Sequence, residues 1–139
     1  VDQSGHRDRV IFHGFIRDEE EMMEIVAHCA VAVAPWTQTA DNNILYADPG
    51  KPKLYMCLGV PCVITRGPEI AEQVVQAGAG RAIDYSAGEL AAAVEDLMGD
   101  EERLGQARER AYELGHEFVS EKIIKEAVER SFYFRETRK

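Results

Sequence analysis

Apolar and polar positions along this chain fall into two alternating patterns. Val10 to His13 is a short apolar run stopped by Gly14, which reads as a strand. Met22, Ile25, Val26 and Cys29 then recur at helical spacing, with Asp18 placed to cap the helix and Glu21 in the capping-box position. Ala30 to Ala34 is uniformly small and apolar, as suits a parallel strand covered on both faces. A polar loop from Pro35 leads to a short helix ending near Gly59, and Pro61 to Thr65 reads as the next strand. Gly67-Pro68-Glu69 opens a helix with inner positions Ile70, Val74 and Ala77, ended by Gly78. Gly80 to Tyr85 is a further strand. Ser86 and Glu89 form a capping box ahead of Leu90, Ala93, Val94 and Leu97. Leu104, Ala107, Ala111, Leu114 and Phe118 mark one more helix, and a last one is expected from about Ser120 towards Phe134.

Strands alternating with helices predict parallel pairing through right-handed crossovers. The fold class is therefore α/β, a doubly wound parallel sheet with extra C-terminal helices. Such a half normally opens with a very apolar central strand and a glycine-rich turn. Nothing in Val1 to Arg9 fits that strand, so the first β-α unit is expected to be missing. A first residue of Val1 rather than Met points the same way, to a fragment or a processed product.

Composition narrows the function classes. The 139 residues suit one domain, and 45% apolar with 29% charged is ordinary for a globular fold. The apolar runs are too short to cross a membrane. A net charge of −9 argues against nucleic-acid binding, since a phosphate backbone attracts basic faces. Cys29, Cys57 and Cys62 sit in apolar contexts, in odd number and with no signal sequence, so reduced buried thiols in a cytoplasmic protein are expected. Neither the cysteines nor His6, His13, His28 and His116 have metal-ligand spacing, and no metal is expected.

The candidate chemistry lies between Ala34 and Val63, where a strand runs through a turn-rich loop into a helix and then a second strand. Open parallel sheets bind ligands at this kind of junction, beyond the carboxyl ends of the strands. Asp48-Pro49 could cap the helix, but Pro52 would then fall where the first intrahelical bond is made. A start at Lys51-Pro52 avoids that loss. With either start, the amides of Gly50, Lys51, Lys53 and Leu54 are expected to face outward at a positive helix end, with two ammonium groups alongside, as suits an anion. A capped helix with two solvated lysines accounts for the same residues. Asp41, Asn42 and Asn43 suit either an ordinary turn or a sugar pocket, since amides and carboxylates recognise hydroxyls. Trp36 suits core or rim, and His13-Gly14 is a strand end where a backbone can approach a flat base closely.

At these residues the chain resembles the C-terminal, nucleotide-sugar-binding domain of GT-B-fold glycosyltransferases, in particular the retaining, group 1-like family 4 type. Val10-Ile11-Phe12-His13-Gly14-Phe15-Ile16 resembles the family's V-x-F-x-G-x-V strand end. Asp18 to Ala34 resembles its acidic helix and small-residue strand. Leu58-Gly59-Val60-Pro61-Cys62-Val63-Ile64 is similar to its A-x-G-x-P-V-I segment. Gly78-Ala79-Gly80 and the helix from Leu90 to Leu97 follow in the same order. The family's paired glutamates have no counterpart, because Tyr46 and Leu54 stand in their slots. The chain instead resembles a divergent branch with K-P-K-L-Y before the glycine.

The resemblance implies a hexosyltransferase-type enzyme that moves a sugar from a nucleotide-diphosphate-sugar to a glycan or lipid-linked acceptor, as in polysaccharide biosynthesis with a donor such as a UDP-sugar. Lys51 and Lys53 would contact the diphosphate, with Tyr55 beside it and Asp48 supporting sugar or ribose hydroxyls. Asp48 and Lys53 would be the catalytic pair. His13, Gly14, Thr37, Asn42, Asn43, Gly50 and Leu54 would complete the donor site. Residues 1–118 would form the donor domain. Residues 119–139, with the Phe132-Tyr133-Phe134 cluster, would form a helix docking on an absent N-terminal acceptor domain, leaving this chain inactive alone; packing of that helix on this domain's own sheet accounts for the same aromatics. No cofactor is implied beyond the donor substrate. A cytoplasmic location is implied, with peripheral membrane association left open. Two alternatives stand beside this reading: a nucleotide-sugar epimerase of the same fold, and a non-catalytic α/β binding module.

Overall fold

The computed structural model describes residues 5–37 and 48–119. Among them, Ala32–Ala34 (β1), Cys62–Thr65 (β2) and Gly80–Ile83 (β3) form one parallel sheet in the order β1-β2-β3. Ala32 lies opposite Cys62, and Cys62 opposite Gly80. Five α-helices are described: Glu19–Ala27 (α1), Gly50–Cys57 (α2), Glu69–Ala77 (α3), Ala87–Met98 (α4) and Glu101–Gly115 (α5). The expected α/β class holds, with a parallel sheet and helices on both of its faces.

Residue alternation along β2 separates those faces. Cys62 and Ile64 pack with Met56 of α2 and with Ile70, Ala71 and Val74 of α3. Val63 points the other way, towards Ile83, Ala93 and Leu97 of α4, and Ala107 of α5. Helix α5 contributes to both cores, Ala111 to the first and Ala107 to the second, so it crosses the sheet rather than covering one face. The strand is buried along its whole length, which is why its sequence carries no polar residue before Thr65.

Several expected helix signals are realised in the caps. The Asp18 carboxylate accepts from the amides of Glu20 (2.9 Å) and Glu21 (3.2 Å). Gly78 ends α3 in the left-handed region with φ 72°. Ser86 Oγ accepts from the Glu89 amide at 3.4 Å, but the reciprocal arm of that capping box has moved. The Glu89 carboxylate accepts from the Asp84 amide at 2.7 Å, clasping the end of β3 to the start of α4. Helix α5 is capped by Asp100, which accepts from the amides of Glu102 and Arg103.

Two of the four expected strands differ from what their sequences predict. Val10 to His13 is not a strand, because segment 10–18 pairs with no strand among the described residues, and Ile11, Phe12 and Phe15 are 78%, 77% and 89% exposed. An apolar run shows that a segment can be buried, whereas a strand also needs a ladder partner, and that is a non-local property. In consequence, three strands rather than four are described. Strand β1 is not covered on both faces either. It is the edge of the described sheet, where Ala34 is buried but Val33 is exposed.

Polar clasps hold α5 in place. Arg108 donates to the carbonyls of Cys29 (2.8 Å) and Ala27 (3.1 Å), satisfying the end of α1 with a cation. Asp96 of α4 is bracketed by Arg81 of β3 and Arg103 of α5. The Arg81 hydrogen bond is the main reason that the Asp96 carboxyl titrates below its usual range. The same helix meets α2 closely at Gly115, where a Cβ would lie 2.4 Å from the Cys57 amide nitrogen. The Cys57 thiol donates to the Gly115 carbonyl at 3.3 Å in the same contact.

The cysteines separate into three environments. Cys62 is fully buried, Cys57 half-buried and Cys29 exposed, so the expectation of three buried thiols fails at Cys29. Burial pushes the Cys62 thiol from the ordinary 9.0 up to about 12. Burial also raises Cys57, partly offset by a backbone hydrogen bond.

Gly115→Ala should lower stability by about 3 kcal/mol, since the methyl would meet backbone rather than a flexible side chain. Phe15→Ser should change stability by less than about 0.5 kcal/mol. Urea midpoints measured side by side would check this contrast. Native iodoacetamide labelling at pH 8, read by mass spectrometry, should modify Cys29 first and Cys62 only after unfolding. Because folding raises the Cys62 pKa, the unfolded chain releases that proton first. Its contribution to stability is complete below pH 9 and declines between pH 9 and about 12.

Candidate functional site

The carboxyl ends of the three strands lie together and are tied by polar contacts. Beyond β1, the Trp36 amide donates to Thr65 Oγ1 at 2.9 Å, joining the exit of β1 to the last residue of β2. Thr65 is 1% exposed, so this hydroxyl is a structural acceptor rather than a free reagent. Beyond β2, the Arg66 amide donates to the Ile83 carbonyl at 2.8 Å, and its guanidinium pairs with Asp84 at 3.3 Å. Trp36 is half-buried against the first core, in line with its reading as core or rim. On the α4 face, Pro35, Ile83, Tyr85, Ser86, Ala87 and Leu90 line an apolar cleft of about 220 Å³.

Helix α2 starts at Gly50, between the two starts that the sequence allowed. Pro49 is the N-cap, and Pro52 takes the third helical position, whose N–H has no partner inside a helix in any case. The proline that looked disruptive therefore costs no ladder bond. The same placement limits the helix end as an anion cradle. Of the four positions with unpaired amides, Pro49 and Pro52 have no N–H, which leaves Gly50 and Lys51. Lys53 and Leu54 come after those positions, so their amides fall within the helical ladder.

Charge at this helix end is carried by side chains. Lys53 Nζ lies 2.6 Å from each carboxylate oxygen of Asp48. It also lies 5.1 Å from the centroid of the Phe118 ring, within cation–π range. The Lys53 side chain is only 25% exposed while Asp48 is 75% exposed, so the carboxylate is the partner that water can reach. Lys51, by contrast, is exposed. Tyr55 is half-buried against the first core, and burial is the main cause raising its phenol above the ordinary value, which keeps it protonated at neutral pH.

The structure thus brings Asp48, Gly50, Lys51, Lys53, Leu54 and Tyr55 together on or beside α2. Thr37 follows Trp36 at the exit of β1, exposed. His13 and Gly14 lie on the exposed segment before α1 rather than at a strand end, Gly14 with φ 69°. Asn42 and Asn43 lie outside the described residues, as does the expected helix from Ser120. Two residues near the strand ends and α2 were not singled out by sequence reasoning for chemistry. Arg66 carried the one available signal, a cation directly after an apolar strand. Phe118 carried none, since its helical spacing marked it only as core.

No group of side chains suited to hold a metal ion is found among the described residues, and no helix there is long and apolar enough to cross a membrane. No curated protein and no solved structure is matched by the chain. The family described as Glycosyl transferases group 1 matches residues 1–100, which include the whole sheet and α1 to α4. That span exceeds half of the 139 residues, and the chain belongs to the group 1 glycosyl transferases.

Proposed function

We propose that this chain is the donor-binding domain of a glycosyltransferase that uses a nucleotide-diphosphate-sugar. The observation that carries this reading is the gathering of Lys51, Lys53 and Asp48 at the start of α2, inside the segment matched by the family. In the reaction, the bond between the sugar's anomeric carbon and the diphosphate oxygen breaks, and its electron pair stays on that oxygen. An acceptor hydroxyl forms the new bond to the anomeric carbon and gives up its proton. Negative charge therefore grows on the diphosphate, and a cation placed there stabilises the transition state more than the ground state.

Lys53 is suited to that role because its ammonium is already held in place and its stem is enclosed. Lys51, exposed and next to the free Gly50 amide, suits a looser contact with the outer phosphate. Asp48 neutralises Lys53 in the absence of donor and is free to turn towards sugar or ribose hydroxyls once a diphosphate has taken its place. The Arg66–Asp84 pair is positioned at the same ends of the strands, and the cleft beside Pro35 and Tyr85 is apolar enough for a flat ring. The acceptor is a glycan or lipid-linked sugar held by a further domain.

Calorimetry with UDP, GDP and ADP tests this reading. One of the three should bind at millimolar concentration or tighter. Lys53→Ala should weaken that binding by about ten-fold, as for one lost charge-assisted contact, and Lys51→Ala by less. Absence of binding to all three, or equal binding by wild type and both variants, would falsify the assignment.

A further inference from the structure

Lys53 and Phe118 meet because two segments run side by side. Lys53 and Cys57 are four residues apart on α2 and so share a face. Gly115 is wedged against Cys57, and the chain continues from it through the 3-10 turn His116–Phe118. One turn of chain therefore carries the ring from the Cys57 contact to the Lys53 ammonium. The turn is itself braced, since His116 stacks edge-on against Tyr112 with centroids 4.4 Å apart. The ring is partly buried and packs against the first core, so it is not a surface group that happens to lie near a cation.

The two partners of Lys53 differ in kind. Asp48 is mostly exposed and, as a carboxylate, competes directly with any anion for the same ammonium. Phe118 is uncharged and attracts the cation through its ring face, leaving N–H directions open to another acceptor. A lysine side chain loses about 2 kcal/mol of rotamer freedom when it is fixed, and a ring that already fixes it removes that cost from ligand binding.

We propose that Phe118 is a positioning residue for Lys53: its ring holds the ammonium at the start of α2, so that a diphosphate can replace Asp48 without the lysine having to be reordered. This rests on the reading of Lys53 as a diphosphate contact. Phe118 itself lies beyond the residues that the family matches, and the contact is a property of this chain's own packing.

Inorganic pyrophosphate is the probe, because it needs no choice of base. Binding to the full chain is measured by calorimetry for wild type, Phe118→Leu, Phe118→Trp, Lys53→Ala and the double variant Phe118→Leu/Lys53→Ala. Phe118→Leu keeps apolar bulk but loses the ring, and should weaken pyrophosphate binding by about three-fold, the ratio expected of a partly exposed cation–π contact. Phe118→Trp should restore it. In the Lys53→Ala background the Phe118→Leu change should have no effect. Proton NMR should show the Lys53 ε-methylene shifted upfield by the ring in wild type and returned to the ordinary position in Phe118→Leu. An equal loss with and without Lys53, or an unshifted wild-type methylene, overturns the positioning role and leaves the diphosphate reading standing. Wild-type affinity in Lys53→Ala overturns the diphosphate reading, and the proposal with it, even if the ring shift is present.

Discussion

A strand with neighbours on both edges and side chains buried on both faces leaves nothing to solvent, and β2 imposes this demand on the rest of the fold. Its ladders to β1 and β3 satisfy the backbone. Its alternating side chains require one apolar layer from α2 and α3, and another from α4 and α5. The demand reaches single atoms at Gly80, where a Cβ would lie 1.9 Å from the Cys62 carbonyl oxygen, so no other residue fits beside the strand. At the carboxyl end, Thr65 supplies a buried acceptor that turns the chain at Trp36. The chain therefore leaves the sheet after β1 from a fixed point.

Features with short-range causes could be read from the sequence. Asp18 and Ser86 cap their helices because the side chain and the amides it serves are two or three residues apart. The faces of α3 and α4 follow from apolar spacing, and Gly78 from the need for a left-handed turn. Features that depend on a distant partner could not be read. The Val10–His13 run has the composition of a strand without its ladder. The start of α2 is open between two prolines on local rules, and the helix takes neither, starting at Gly50 with Pro49 as N-cap. At the site, the residue types on α2 were legible as an anion locus. That Lys53 is clasped by Asp48 and covered by Phe118 was not, because the ring arrives from the far end of α5.

The contact between α5 and α2 links stability to the site. Gly115 and the Cys57–Gly115 hydrogen bond fix how far α5 runs along α2, and Phe118 inherits that position. The clasps of Arg108 on α1 and of Arg103 on Asp96 hold the same helix elsewhere. A change in any of them moves the ring relative to the ammonium without touching a ligand. On the proposed reading of Lys53 as a diphosphate contact, such shifts carry functional weight.

The two prolines around the start of α2 have one more consequence. With Pro49 and Pro52 donating nothing, an anion at this helix end meets few directional amides and depends on ammonium charge instead. An ammonium is a point charge that tolerates rotation of its ligand even when its stem is fixed, whereas a row of fixed amides selects one orientation. Such charges are also screened by dissolved ions, over about 8 Å at physiological ionic strength. On the proposed donor-binding reading, the hold on a diphosphate here would be set as much by the surrounding electrolyte as by the protein.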